Sequence, residues 1–482
     1  MCYCQAKSTL TLPYRQLLSL TMKLRPYQEN DVAQIRAAYR EKNKSVLFVG
    51  PTGYGKTVLF SHIVKSALER GKKVMVLCHR QELIDQIEAA LISVGIQPGI
   101  VAPHRECTNK NVVLASVWTL INRLYAFDPP DLLVVDEAHH ATSKTTWGKI
   151  LNHWPQSHRL GVTATPLRLS GEGLNDLFEK MVLGPSTQEL IELGFLTPVR
   201  VFAPSQPDLE GVRRRGGEFV IGDLEAALAK STITGDAISH YKRLCNGKRA
   251  IAFCVSVAHA KVIAESFNKE GIKSESIDGS LDSEERRRRI TNFREGRTQV
   301  LTSCDLVSEG FDLPAIEAGI LLRPTASTGL YLQQVGRCLR TADGKSESII
   351  LDHAGNTLRH GLPTERREWM LAGEEKKSKA AKETIVSVKI CKACFQACPQ
   401  TAQECSGCGE EFPVKPRKVV QVKGELQELK AAVNRSRMAE QTSAKSLEGL
   451  ISLGVMRGYK NPLAWATHVL QGRKIKKERS FR

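Results

Sequence analysis

The chain is patterned as short, unbroken apolar runs, most of them followed by a stretch whose apolar residues recur with helical spacing. The runs fall at 46–49, 74–78, 112–115, 132–135 and 160–162, and again at 250–254, 300–302, 318–322 and 348–351. A run without polar alternation reads as a strand buried on both faces, and the helical segments supply the cover. Strands alternating with helices predict parallel sheets. The Thr197-Pro198 step separates the two series, so the pattern predicts two tandem α/β domains, at 22–196 and 197–365.

The flanks read differently. Residues 1–21 contain an apolar stretch that Pro13 and Arg15 interrupt, which is no signal peptide and is read as a mobile leader or an upstream start. Residues 366–387 carry the run EEKKSKAAKE and read as a charged linker. A cysteine-rich module is expected at 388–412, followed by a helical, basic region at 413–482 with a polar helix near 425–438. No long internal repeat and no low-complexity tract stands out.

Composition narrows the function. The 482 residues are 41% hydrophobic and 25% charged, a globular balance with room for two or three cores. The formal net charge of +18 points to a polyanionic partner, nucleic acid before a membrane surface. No apolar run approaches membrane-spanning length, so no membrane partner is expected. Of 13 cysteines, several sit inside apolar runs as small buried hydrophobes, while five crowd between Cys391 and Cys408.

The first run leads into GPTGYGKT, residues Gly50, Pro51, Thr52, Gly53, Tyr54, Gly55, Lys56 and Thr57. Strand, glycine-rich turn and helix in that order fit the phosphate-cradling pattern G-x-x-x-x-G-K-[ST]. The glycines let backbone N–H groups approach phosphate oxygens; Lys56 would meet the outer phosphates and Thr57 would hold Mg²⁺. The run at 132–135 ends in Asp136-Glu137-Ala138-His139. An acidic pair there suits a Mg·ATP site, with Asp136 on the metal and Glu137 deprotonating the attacking water. His139 is read as a polar link to the second domain rather than as the base.

These two motifs, Thr163-Ala164-Thr165 and the Q-x-x-G-R-x-x-R match at 333–340 stand in the order found in superfamily 2 helicases and translocases. The resemblance covers about 25–340. It implies an α/β fold of two tandem RecA-like parallel-sheet domains, here with a C-terminal zinc ribbon and a helical, basic tail. It implies that Gln28 in LRPYQ reads adenine with Arg25 close by, and that Arg337 and Arg340 are arginine fingers reaching the γ-phosphate from the second domain. It implies that Thr163 and Thr165 couple nucleotide to nucleic acid. Softer matches are His79, Arg80, Ser116, Phe253, Asp278, Gly279, Arg286 and Phe293. Thr302, Ser303, Asp305, Glu309, Gly310 and Asp312 match the segment touching both DNA and nucleotide, with Gly310 and Asp312 taken as nucleotide ligands. The other arginines of 284–289 read as a solvated helix face. LRPYQ, TATPLR, SEGFDLP, LLRPT and LDHAGN resemble the RadD-like branch of bacterial repair helicases and their phage relatives.

Cys391-x2-Cys394 and Cys405-x2-Cys408 form two knuckles ten residues apart, enough for one tetrahedral Zn²⁺ site. Free thiols and an iron–sulfur cluster are the alternatives, with Cys398 as a substitute ligand. The expected enzyme is an ATP-dependent DNA helicase or translocase using ATP, Mg²⁺ and Zn²⁺ in recombination, repair or phage replication. It would work on single-stranded or branched DNA in the cytoplasm of a bacterial or phage-infected cell, at the nucleoid, with single-strand-binding or recombination proteins as candidate partners. The competing readings are an RNA helicase, a restriction-system motor, and a zinc-ribbon adaptor with a vestigial ATPase.

Overall fold

Both series of apolar runs become parallel sheets in the computed structural model, which describes residues 23–103, 105, 108–203, 207–229, 233–304, 316–373, 388–412, 440–459 and 461–479. The first lobe holds β1 (Ser45–Val49), β2 (Val74–Cys78), β3 (Gly99–Val101), β4 (Val112–Ser116), β5 (Leu132–Asp136), β6 (His158–Thr163) and β7 (Lys180–Leu183). They lie in the order β3-β4-β2-β5-β6-β1-β7, all parallel. The second lobe holds β8 (Val199–Phe202), β11 (Ala250–Phe253), β12 (Ser274–Ile277), β13 (Val300–Ser303), β14 (Ala318–Leu321) and β15 (Ser348–Asp352). Its order is β12-β13-β11-β14-β15-β8, again parallel. Between β8 and β11 a small hairpin pairs β9 (Arg214–Arg215) with β10 (Glu218–Phe219).

The unbroken runs have the predicted cause: β1, β2, β4 and β5 are buried along their whole length. The strands missing from the sequence pattern are β3, which is three residues long, and the edge strands β7, β8 and β12, whose KMVL, VRVF and SESI mix polar with apolar residues. Register then positions the chemistry. Val49 pairs with Thr163, Asp136 pairs with Val162, and the Gly50 N–H extends the ladder onto the Thr163 carbonyl at 3.0 Å. The carboxyl ends of β1, β5 and β6 therefore lie side by side, where parallel sheets bind ligands.

After β15 the chain returns to the first lobe. Trp369 and Leu371 pack on that lobe's core, and the Leu371 carbonyl accepts from the N–H groups of Leu174 and Asn175 at 2.8 and 3.0 Å. The range read as a charged linker thus begins as a docked strap, and 374–387 lie outside the described residues. β16 (Val388–Ile390) and β17 (Ala397–Pro399) form an antiparallel hairpin. It covers the exposed edge of β8 through a Phe202–Gln396 bridge and an Ala203 N–H to the Phe395 carbonyl at 3.0 Å.

The chain divides into two compact units after Phe412. In the second, the helix Leu447–Met456 starts at Ser446, whose hydroxyl accepts from the Gly449 N–H, and packs against the helix Pro462–Arg479. The leader at 1–21 and the helix expected at 425–438 lie outside the described residues.

Candidate nucleotide site and cysteine cluster

The glycine-rich loop leaves β1 and turns into the helix Lys56–Leu68. Gly53 and Gly55 have φ of +88° and +91°, a left-handed backbone that favours glycine. The helix Pro26–Arg40 fixes the loop from below. Gln28, 1% exposed, donates through Nε2 to the carbonyls of Tyr54 and Gly55 at 3.2 Å, while its Oε1 accepts the Arg25 N–H at 3.0 Å. The carboxamide expected to read adenine thus also shapes the loop. Tyr54 turns its ring inward and donates to Asp31 Oδ2 at 2.5 Å, which leaves only its backbone facing the loop's concave side. The Arg25 guanidinium lies 4.4 Å from the centroid of the Phe195 ring and donates to the Tyr27 hydroxyl.

Lys56 Nζ donates to the Gly50 carbonyl at 3.1 Å. Part of its side chain reaches solvent, yet crowding around the ammonium lowers its pKa. Glu137 and Asp136 oppose that shift, and Arg340 and Arg337 reinforce it. These four charges were expected from sequence, two from each lobe. Asp136 is buried at the end of β5. Glu137 follows with φ of +48°, a conformation uncommon for a non-glycine residue and frequent where chemistry dictates side-chain direction.

The second lobe meets this cluster through the helix Thr328–Cys338. A Cβ added to Gly336 would lie 2.5 Å from Thr52 Cβ, so glycine is what lets the helix rest on the loop. Gln333 Nε2 is 3.3 Å from His139 Nε2, and His139 Nδ1 is 3.0 Å from Thr163 Oγ1. Thr163 donates its own proton to the Thr165 carbonyl at 2.8 Å. Its oxygen therefore accepts from His139, which places the imidazole proton on Nδ1 and lets Nε2 accept from Gln333. Arg337 is 7% exposed at the same seam. Arg340 pairs with Leu196 in an antiparallel bridge, and Lys345, absent from the sequence reading, donates to the carbonyls of Cys338 and Arg340. Burial pushes the Lys345 ammonium down to about 8.

The donor set fits a triphosphate and its metal. Thr165 Oγ1 and Gln334 Oε1 are buried without a hydrogen-bond partner, and Glu137 Oε2 has the His139 Nδ1 at 3.4 Å without hydrogen-bond geometry, an arrangement a ligand or ordered water would relieve. Thr57, at the start of the Lys56–Leu68 helix, and Asp136 are the residues that would hold Mg²⁺. A cleft of about 630 Å³ opens beside the loop between Thr52 and Gly336, but Lys56, Asp136 and the two arginines do not line it.

Other sequence matches scatter. Thr302, matched to the segment touching DNA and nucleotide, instead gives its hydroxyl to the Ala260 carbonyl at 2.7 Å inside the second lobe. Phe253 and Phe293 are core residues. Arg288 and Arg289 both pair with Glu285 at 2.7 Å. Asp305, Glu309, Gly310 and Asp312 lie outside the described residues.

The sulfurs of Cys391, Cys394, Cys405 and Cys408 all lie within 4.8 Å of one another. Cys391–Cys408 and Cys394–Cys405 are each 3.6 Å apart, close to the roughly 3.8 Å edge of a tetrahedron with ~2.3 Å Zn–S bonds. Burial opposes ionisation of Cys405, but N–H groups of Gly407 and Cys408 outweigh it and hold the thiol below its usual range. The set is compatible with Zn²⁺. Cys398 is buried beside it, 3.9 Å from Cys405 Sγ, outside the group of four.

Known proteins match the same architecture. The family model described as the res subunit of type III restriction enzymes matches residues 21–168, and the helicase conserved C-terminal domain matches 236–342. A "51.5 kDa protein" of Lactococcus phage (isolate 7-9) is 35% identical over 367 residues, covering 76% of this chain and 78% of the phage protein. A Saccharomyces cerevisiae protein named as the ATP-dependent helicase IRC3 is 28% identical over 355 residues, covering 69% of this chain. The chain spans 51% of that protein's length. In fold, the chain resembles a fragment described as an HsdR subunit of a type I restriction enzyme from Vibrio vulnificus YJ016, with a TM-score of 0.56 at 23% identity over 72% of this chain and 67% of that one. With its two parallel-sheet lobes and ordered motifs, the chain belongs to superfamily 2, the ATP-dependent helicases.

Proposed function

We propose that the chain is a DNA-directed motor of the RadD-like branch, hydrolysing ATP at the lobe seam and moving along a strand in recombination, repair or phage replication. The observation that carries this reading is the seating of the Thr328–Cys338 helix, which bears Arg337, on the glycine-rich loop, with Gly336 against Thr52 and Gln333 against His139. Arg25 and Gln28 border the adenine side, and the loop Gly50–Thr57 takes the phosphates. Lys56 neutralises the outer phosphates. Glu137 takes a proton from water as its oxygen attacks the γ-phosphorus in line; the bond to the β–γ bridging oxygen breaks and ADP departs. Arg337 and Arg340 meet the charge that develops on the γ-phosphoryl oxygens. Thr57 and Asp136 would hold Mg²⁺, which would supply Lewis-acid neutralisation of the phosphates.

The test is phosphate release with and without nucleic acid, across single-stranded, duplex, forked and branched DNA and RNA. Single-stranded or branched DNA is expected to stimulate turnover most, with an affinity that falls steeply with salt. Turnover absent in every condition would sink the motor and leave the adaptor, and stimulation by RNA alone would replace the DNA assignment. A restriction-system motor is the second reading, favoured by the res-subunit match over 21–168 and by resemblance to a type ISP restriction-modification enzyme bound to DNA (TM-score 0.53, 17% identity). It would require a nuclease on another chain.

Zn²⁺ at Cys391, Cys394, Cys405 and Cys408 would supply folding energy to the hairpin that covers β8. The purified chain is expected to carry one zinc per molecule, and Cys391→Ser to lose it while 388–412 become protease-sensitive. A zinc-free protein with a protected ribbon would refute the site. No helix among the described residues is long and apolar enough to cross a membrane. The working location under this reading is the nucleoid, with single-strand-binding or recombination proteins as partners.

A further inference from the structure

The hairpin β9–β10, between β8 and β11, brings three arginines in succession, Arg213, Arg214 and Arg215, all exposed. Its two-residue turn is Gly216-Gly217 with φ of +61° and +88°, the backbone of a tight type I′ hairpin. The turn is seated on the other lobe. A Cβ on Gly217 would stand 2.0 Å from the Leu169 carbonyl oxygen, just beyond the Thr163–Thr165 segment.

The arginines are not treated alike. Arg213 is neutralised by Asp223 through two bonds of 2.8 and 2.9 Å. Arg214 and Arg215 pair with no carboxylate among the described residues. The Arg214 guanidinium lies 4.7 Å from the Phe219 ring centroid, and the Arg359 guanidinium lies 5.5 Å from the same ring. Two cations thus share one buried aromatic, their repulsion offset by the fields of Asp352 and Glu218 on Arg359 but by no direct ion pair among the described residues. Glu218 makes no such pair: its Oε2 accepts from the Thr325 hydroxyl, and its Oε1 from the N–H groups of Ala326 and Phe219. Arg359 donates to the Thr325 carbonyl and Asn356 Oδ1 rather than to an acid. Beside this pair, a cavity of about 280 Å³ touches both lobes, with Leu167 on the first and Arg359, Arg367 and the acid Glu368 among its charged lining.

We infer that this hairpin is a nucleic-acid contact: Arg214 and Arg215, with Arg359 behind them, bind consecutive phosphates of one strand's phosphodiester backbone where it crosses between the lobes. Guanidinium forks suit phosphate, and the Phe219 ring keeps Arg214 and Arg359 aimed without neutralising them, while Arg215 stands exposed opposite Glu218 in the hairpin register. The contact is also connected. Glu218 ties the hairpin to Thr325 and Ala326, next to Ser327, the cap of the helix that carries Arg337. A strand pulling on the hairpin therefore pulls on the arginine-finger helix. Glu218 is a positioning residue in this scheme. The inference rests on the nucleic-acid reading above, and lies outside the motif positions that the helicase resemblance covers.

The test uses the full chain, fluorescent single-stranded DNA and RNA oligonucleotides, and binding measured across a salt series. R214A/R215A is expected to weaken DNA binding about tenfold at moderate salt and to flatten the slope of log K against log salt by about 1.4, two phosphates at ~0.7 each. R214K/R215K should restore the slope, because charge rather than packing sets it. Unchanged affinity and slope in R214A/R215A, with the parent chain binding normally, would overturn the hairpin and leave the motor intact. Failure of the lysine pair to restore the slope would make the role structural and overturn it too. A parent chain that binds neither nucleic acid overturns both readings. The same slope change seen with RNA alone keeps the hairpin and removes DNA.

Discussion

Lys56→Ala is expected to lower ATP turnover by about a hundredfold or more, with DNA affinity largely retained. Lys56 is the cation nearest the loop's carbonyls, held against Gly50, and the acids of β5's end act on it directly. In the transition state it would face the charge leaving toward the β–γ oxygen. Alanine removes that charge but leaves the β1–β6 pairing and the loop glycines untouched, so the lobe should melt at the parent temperature. Steady-state phosphate release with saturating DNA reads the loss, and near-normal turnover would refute the assignment. The companion Glu137→Gln should bind ATP and fail to hydrolyse it, because the amide keeps the shape and cannot take a proton from water.

Arg337→Ala should cost more, about a thousandfold, the usual worth of an arginine finger. Arg337 is buried at the seam and lies one residue past Gly336, whose missing Cβ permits contact with Thr52. Closure by Gln333 and His139 would survive the substitution, so nucleotide affinity should change far less than turnover. Arg337→Lys is not expected to rescue, since an ammonium cannot offer the planar fork. A lysine variant as fast as the parent would reduce Arg337 to a structural cation.

The candidate nucleotide site was legible in the sequence because its backbone and charges constrain residue type locally. A left-handed loop favours glycine at 53 and 55, and a charge-neutralising site demands Lys56, Asp136 and the arginines. The parallel strands were legible because burial on both faces leaves unbroken apolar runs. What sequence could not show were contacts made between distant segments. Gln28 matched a base-reading position, but its grip on the Tyr54 and Gly55 carbonyls depends on the Pro26–Arg40 helix passing under the loop, which no local pattern shows. Lys345 carries no motif; it matters only because the chain folds back over the Cys338 and Arg340 carbonyls. Trp369 and Leu371 sat in a range read as charged linker, and no local pattern announces that they dock on the opposite lobe. The edge strands β7 and β8 escaped because one-sided burial tolerates Lys180 and Arg200.

The most direct test of a shared seam is a double-mutant cycle of K56A and R337A, read by single-turnover ATP cleavage with DNA present. Two groups acting on one γ-phosphoryl should show strong non-additivity, the double variant within about threefold of the slower single one. Losses that multiply, or an R337A variant cleaving at the parent rate, would contradict a nucleotide site built from both lobes.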